Sequence, residues 1–595
     1  MSPSPSPGDG RERKPAEGIS RRSVFATGAG AGAALALGGL TAGPASAADR
    51  AAKERGDRDG DGRPGERIRL VNGKIHTMDR RDRVVSSVFI ERGRFAAVGP
   101  GGGSGSGGGG PATTIDLGGR TAIPGVIESH IHSVSLANRP GFHVAGVERA
   151  ESIADVQELL AARRPDVPDG QWITALGGWH PNQWAERRLP TRAELDDAVP
   201  DRPVLLYQNF TGPAITNSTG RRFFDGVDDG PLPHPDAVKI NVADNGFIAA
   251  GAFGAVTPAT TALYVLRSLQ TFDDKLRSSR DMMAYSARVG LTAHSDKVLF
   301  PTPGPLHPGQ LLSNLDHYRM YDPLLRLHAN GETTIRMEFN FLHNQNDPQL
   351  PELRERLRNQ FTFFGDDMQR TGGIGEWAAP ISAGDVWFEA QRLVAQAGWR
   401  NENAVANLNE LTQVVSAWEK VDAEFGINGD RYIVHHVPVV TEDLLDRLHA
   451  LGAGVAMRAF TWITGTPGAG GAPFRTILDH GVKAGIEGDG VHISTMTPWP
   501  HMQYAVTGVN ALGQLINPGQ QITRQEALRA FTRENAWFLR AEDELGSIEE
   551  GKLADLVVLD RDYFSVPENE IKRLSSVLTI VNGKIIHNTG ALVTR

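Results

Sequence analysis

Short apolar runs alternate with amphipathic helical stretches from residue 123 to residue 545, and similar Asn-Gly-centred β segments stand at the two ends of the chain. With the length of the alternating segment, these observations predict an α/β fold. Parallel strands at residues 123–545 form a closed (β/α)8 TIM barrel, flanked by a small sheet domain assembled from both termini. The apolar runs include PVLLYQ (203–208), TIRMEFNF (334–341), YIVHHV (432–437), GAGVAM (452–457) and VKAGIEG (482–488), and the helical stretches include 404–426 and 441–452.

The 595 residues carry a formal charge of −9 and contain no cysteine. So small a charge, with no long block of one sign, argues against a nucleic-acid partner and for a small-molecule substrate. Without cysteine there are no disulfides, thiolate nucleophiles or sulfur ligands. Any metal is held by His, Asp, Glu or modified Lys.

In chain order, residues 1–47 read as a twin-arginine (Tat) export signal: Arg21-Arg22, a Gly/Ala-rich apolar stretch, then the small-residue site Ala45-Ser46-Ala47. Residues 48–66 are charged and lack apolar periodicity, which predicts a disordered lead-in. No later run is long and apolar enough to span a bilayer, so the exported chain is expected to be soluble without stable membrane insertion; an oligomer is left open. RIRLVNGKIHTM (67–78) and SSVFIERGRFAAVG (86–99) read as hairpin strands, and the glycine run at 99–110 as a surface loop. Near the C-terminus IVNGKII (580–586) repeats the Asn-Gly hairpin of LVNGKIH (70–76). The sheet domain is therefore expected to combine residues 67–122 and 546–595.

The chemistry begins in IPGVIESHIHSV (123–134). Residues i and i+2 of a strand face the same way, so His130 and His132 direct both imidazoles into one space and can share a zinc ion. Trp179, His180 and the TPWPHMQ stretch (497–503) are candidates for the substrate pocket, and His294 is expected to be a hydrogen-bonded structural histidine. No Gly-x-Ser-x-Gly elbow signals a serine nucleophile.

The opening LVNGKIHTM…RGRFAAVG…IDLGGRTAIPGVIESHIH and the closing GSIEEGKLADLVVLDRDYFSVP…VLTIVNGKII resemble the amidohydrolase superfamily, most closely its family 3 branch, which includes N-substituted formamide deformylases. The resemblance implies a barrel with a composite β-sandwich from both termini, and metal-assisted hydrolysis of amide-like C–N bonds. It implies metal ligands at His130 and His132, at Asp489 in AGIEGDGVHI, and at His435 in RYIVHHV, with His436 the alternative after a one-residue slip. Asp489 is also the expected general base.

This chain departs from the family pattern in several places. Glu128 stands where an Asp is usual, and Glu487-Gly488-Asp489 replaces Gly-Ser-Asp. Ala404 and Leu408 fall where the fifth strand has its His and Asp, and Gly375 where the fourth has its lysine, with Glu376 beside it, a carboxylate that a continuing strand would turn to the opposite face. One zinc or other divalent ion per chain, held by His130, His132, His435 and Asp489, is the resulting expectation. The activity expected is hydrolysis of a carbon–nitrogen bond other than a peptide bond. The alternatives are a degenerate barrel that binds a ligand without turnover, and a one-metal lactonase or isomerase.

Overall fold

The computed structural model describes residues 67–99, 112–209, 212–228, 238–251, 256–297, 320–344, 346–491 and 493–595. The export signal, the charged lead-in and all but the first residue of the glycine run lie outside the described residues.

Strands from both ends of the chain share two sheets. One runs in the order Val593–Thr594, Thr113–Asp116, Ile68–Val71, Val88–Glu91, Arg94–Val98; the other runs Lys584–Asn588, Ser576–Val581, Leu556–Leu559, Thr121–Pro124, Lys74–His76, Val84–Val85. Alternate residues of Ile68–Val71 and Val88–Glu91 are buried, the period-2 pattern of a half-covered strand. Ile68, Leu70, Ile90 and Phe95 share one core with Leu556, Val558, Leu578 and Ile580.

The two Asn-Gly pairs differ. Asn582 and Gly583 both have positive φ and close a true antiparallel hairpin. Asn72-Gly73 instead carries the chain from one sheet to the other. A Cβ on Gly73 would lie 2.5 Å from Leu117 Cδ1, so the glycine there serves close approach and not hairpin geometry.

Eight parallel strands form the frame of the site: β1 (Val126–Ile131), β2 (Leu291–Lys297), β3 (Arg336–Phe341), β4 (Gln369–Ile374), β5 (Glu402–Ala404), β6 (Ile433–His435), β7 (Gly454–Arg458) and β8 (Lys483–Glu487). They form two four-stranded parallel sheets, β4-β3-β2-β1 and β5-β6-β7-β8. Parallel bridges Ile374↔Asn401 and Ile131↔Gly490 link an end of one sheet to an end of the other, with Ile374 N donating to Arg400 O at 2.9 Å and His132 N to Gly490 O at 3.1 Å.

Helices follow the strands. Leu408–Phe425, after β5, is capped by Asn407, whose side chain accepts from Glu410 N, and stops at Gly426 with φ 73°. Its Leu411, Val414, Val415, Trp418 and Val421 form the buried stripe that a 3.6-residue period requires. The helical stretch expected from 404 therefore starts at 408, because Glu402–Ala404 is strand.

PVLLYQ is not one of the eight strands. Val204–Tyr207 lies in a separate five-stranded sheet inserted between β1 and β2, with Phe142–His143, Ile173–Leu176, Ala214–Thr216 and Phe247–Ile248. That sheet has its own core around Val156, Leu160, Ile173, Val204 and Leu206. An apolar run reports burial, and it cannot tell which core buries it.

Candidate metal centre

Glu128, His130 and His132 lie at alternate positions along β1 and just past its end, so they share the inward face. Glu128 accepts from His130 N at 3.2 Å and from Gly488 N at 3.1 Å, tying β1 to the turn after β8. Burial raises its carboxyl well above the usual range.

A Cβ on Gly488 would stand 2.4 Å from His501 Cε1 and 2.9 Å from Glu128 Oε2. Gly488→Ala is therefore expected to push the turn off β1, costing about 1–3 kcal/mol of stability. Thermal unfolding and metal content of the variant check this, and unchanged values of both would refute it.

β4 delivers Glu376 two residues past its end, β6 delivers His435 and His436, and β8 delivers Glu487 and Asp489. Adjacent strand residues face opposite ways, yet His435 and His436 both point inward, because the strand ends at His435 and His436 takes a left-handed backbone, φ 61°. Asp489, at φ 47°, turns back in the same manner.

Five side chains converge on one focus. His132 Nε2 lies 3.0 Å from Asp489 Oδ1 and 3.9 Å from Glu376 Oε2, and His130 Nε2 lies 3.7 Å from each of those oxygens. His436 Nε2 lies 3.1 Å from Glu376 Oε1 and 3.6 Å from Asp489 Oδ2. Two donors bound at about 2.1 Å to one zinc at the tetrahedral angle stand about 3.4 Å apart, so these separations suit a shared ion. His130 Nε2, Glu376 Oε2 and Asp489 Oδ2 are buried and make no hydrogen bond among the described residues. Buried polar atoms are ordinarily partnered, and a cation would supply the missing partner.

Glu487 sets the rings. Its Oε1 accepts from His436 N and from His436 Nδ1, both at 2.7 Å, and its Oε2 lies 3.3 Å from His130 Nδ1. With its Nδ1 donating to Glu487, His436 presents its Nε2 lone pair to the focus, and His130 Nδ1 lies 3.0 Å from His435 Nδ1 on the side away from it. His132 is held as His436 is, by donating Nδ1 to Lys297 O.

His435, which the sequence favours as the ligand, stands behind this focus: its Nδ1 makes that 3.0 Å approach to His130 Nδ1, and with His130 and Glu487 it forms a second group of donors close enough together for an ion. Its Nδ1 lies 2.6 Å from Glu487 Oε2 and its Nε2 2.9 Å from Glu402 Oε2. Ala404 contributes its backbone, N donating to Glu376 O at 3.1 Å, while Glu402 is the ionisable group of β5.

The electrostatics follow the same division. Burial lowers His130 to about 4. Burial also opposes charge on His436, but Glu487 and Asp489 outweigh it and hold His436 well above its ordinary value. His132 is raised by Asp489 against the same burial.

The other candidates lie outside the focus. Trp179 is buried in the insertion against Trp184, and His180 Nδ1 accepts from Asn182 N at 3.1 Å. His294 is buried on β2 with neither ring nitrogen hydrogen-bonded among the described residues, contrary to expectation; burial lowers it to about 3. In the 497–503 stretch, Trp499 donates to Val289 O at 2.9 Å and His501 pairs with Ser494 Oγ at 2.9 Å. His501 packs against Gly488 in the turn carrying Asp489.

The chain was compared with known proteins. The family described as "Amidohydrolase family" matches residues 113–587. An N-substituted formamide deformylase of Arthrobacter pascens is 24% identical over 538 residues, 87% of this chain and 97% of that one. The putative amidohydrolase YtcJ of Bacillus subtilis is 23% identical over 548 residues, 87% and 98%. A solved structure of an uncharacterized metal-dependent hydrolase from Pyrococcus furiosus superimposes with TM-score 0.54 at 20% identity, covering 84% of this chain and all of that one, a likeness of fold. With a family match across most of its length and inward-facing histidines and carboxylates at the strand ends, this chain belongs to the amidohydrolase family.

Proposed function

We propose that this protein is a one-metal hydrolase that cleaves a carbon–nitrogen bond in a small amide-like molecule. The observation that carries the reading is the focus formed by His130, His132, His436, Glu376 and Asp489, with buried nitrogen and oxygen atoms left unpartnered at its centre. In this reading the eight parallel strands close into a barrel, supported by the bridges Ile374↔Asn401 and Ile131↔Gly490, with the ligands at the carboxyl ends of the strands. Glu376 supplies a carboxylate beside Gly375, where the resemblance implies a lysine, while the position of Ala404 brings no side-chain donor.

These nitrogen and oxygen donors would hold a divalent ion, zinc in the first instance, which when bound would polarise a carbonyl and lower the pKa of a water. Asp489 is the general base: Oδ2, which makes no hydrogen bond among the described residues, takes the proton of the attacking water and returns it to the leaving nitrogen as the C–N bond breaks. Glu487 and the carbonyl of Lys297 hold the imidazoles in the tautomer that ligation needs.

Elemental analysis of purified, metal-supplemented protein, with assays of amine and formate release from N-substituted formamides and other amides, tests the reading. Similarity to the formamide deformylase makes formamides the first substrates to assay. About one zinc per chain together with hydrolysis is expected. Folded protein that takes up no metal would overturn it.

Metal loading depends on pH. Ligation needs neutral imidazole, and in ion-free protein the carboxylates hold His436 well above 6.5 and raise His132. The ion must displace those protons, so affinity rises with pH and falls as pH drops below the two values; His130, at about 4, is already neutral. Zinc affinity measured against a competing chelator is expected to weaken about 10- to 100-fold per unit between pH 8 and 6. A flat profile would mean that neither ring is displaced by the ion.

We also propose export by the twin-arginine route, resting on Arg21-Arg22 and Ala45-Ser46-Ala47. N-terminal sequencing of exported protein is expected to begin after Ala47.

A further inference from the structure

The inward-facing ionisable groups fall into two halves. At the focus, His130 Nε2, Glu376 Oε2 and Asp489 Oδ2 have no hydrogen bond among the described residues. Deeper in, most atoms are engaged, although Glu402 Oε1 and Arg400 Nε make no hydrogen bond among the described residues. Lys297, at the end of β2 and fully buried, places Nζ 2.6 Å from Glu402 Oε2 and 2.8 Å from Ser295 Oγ. Glu402 Oε2 also lies 2.9 Å from His435 Nε2, and its Oε1 lies 2.8 Å from Arg400 Nε. His435 Nδ1 meets Glu487 Oε2 at 2.6 Å, and Glu487 orients His130 and His436. One continuous file therefore runs Lys297, Glu402, His435, Glu487, His436.

An ammonium without solvent is costly unless it is paired, and here a carboxylate and a hydroxyl pair it. The consequence reaches the focus through position. Without Lys297, Glu402 is balanced on one oxygen alone, and His435 is free to shift from Glu487 toward Glu402. Glu487 then loses one of the contacts that fix its angle, and with it the orientation it imposes on the His130 and His436 rings. The same ammonium also fills the space next to Glu402 and His435, the donors on which a second cation would have to settle.

We propose that Lys297 is a positioning residue for the ion site: through Glu402 and His435 it holds Glu487, and by occupying the deep half of the pocket it keeps the site to a single divalent ion. This rests on the metal-dependent reading above. Its claim is about how many ions bind and how tightly, and it can be tested without turnover.

The experiment is a zinc titration of chelator-stripped full-length protein against a chromophoric chelator, giving equivalents and affinity, with circular dichroism and thermal unfolding as checks on folding. Wild-type protein is expected to take one equivalent. Lys297→Met leaves Glu402 to Arg400, and Glu402→Gln takes from the Lys297 ammonium its carboxylate partner; each is expected to weaken zinc binding about 10- to 100-fold, the range typical of residues behind metal ligands. The double variant removes both charges and is expected to recover at least about tenfold over Lys297→Met, the non-additivity of a coupled pair. Two equivalents in wild type would overturn the proposal and the one-metal part of the reading above, and leave a metal-dependent hydrolase standing. So would folded single variants that bind zinc as wild type does while melting lower, or single losses that simply add in the double variant. No zinc in wild type would overturn the hydrolase reading itself and this proposal with it. If Lys297→Met does not fold, Glu402→Gln and the wild-type stoichiometry still decide.

Discussion

The double variant His130→Ala, His132→Ala is expected to contain no metal and to hydrolyse nothing, in a chain that remains folded. Both rings leave β1 toward the same focus and stand 3.0–3.9 Å from carboxylate oxygens of Asp489 and Glu376. Protein zinc sites are worth about 10–16 kcal/mol in apparent binding free energy, so each ligand carries roughly 2–4 kcal/mol and the pair about 4–8. That loss corresponds to about 10^3- to 10^6-fold in affinity. Removing two imidazoles from between carboxylates also leaves Asp489 and Glu376 closer to uncompensated, so some loss of stability accompanies the loss of metal. Elemental analysis beside circular dichroism separates the two effects. A folded double variant that retains one ion per chain would show that β1 does not hold it.

The second large effect distinguishes two adjacent residues. His436→Ala is expected to abolish the rise in unfolding temperature that added zinc gives the wild type, because it removes a donor at the focus; His435→Ala is expected to keep that rise. The cost of His435→Ala appears in stability instead. Glu402 and Glu487 are both fully buried and both meet the His435 ring, so deleting it leaves two carboxylates facing an empty space, a loss of about 3–5 kcal/mol. Zinc affinity should fall only about 10- to 100-fold, through loosening of Glu487. The opposite result, with the zinc response lost in His435→Ala and kept in His436→Ala, would restore His435 as the ligand and place His436 behind it.

These two residues show how far the sequence reaches. The run YIVHHV establishes a strand that ends in two histidines, and a period of two allows only one of them to face inward while the strand lasts. Which one ligates depends on where the strand stops and on the positive φ of His436, a backbone state that tertiary contacts select. Glu376 is a similar case. It stands beside the position where the resemblance implies a ligand, on the wrong parity for a continuing strand. It reaches the focus because β4 ends at Ile374 and the chain turns before Glu376.

What the sequence by itself determined is the part written in local pattern. The paired imidazoles of His130 and His132 follow from strand parity and the joining of the two chain ends from matching β segments, whereas Asp489 comes from the resemblance to the amidohydrolase family. The absence of cysteine fixed the kind of donor any metal could have. Tertiary structure alone decided the rest: that Val204–Tyr207 belongs to an inserted sheet, that Glu402 and Lys297 fill the space beside Ala404, and that Glu487 orients two rings from a strand far away in sequence. Periodicity records which side of an element is buried. The partner that buries it, and the charge that meets a buried charge, come from residues hundreds of positions apart, and only the folded chain brings them within hydrogen-bonding distance.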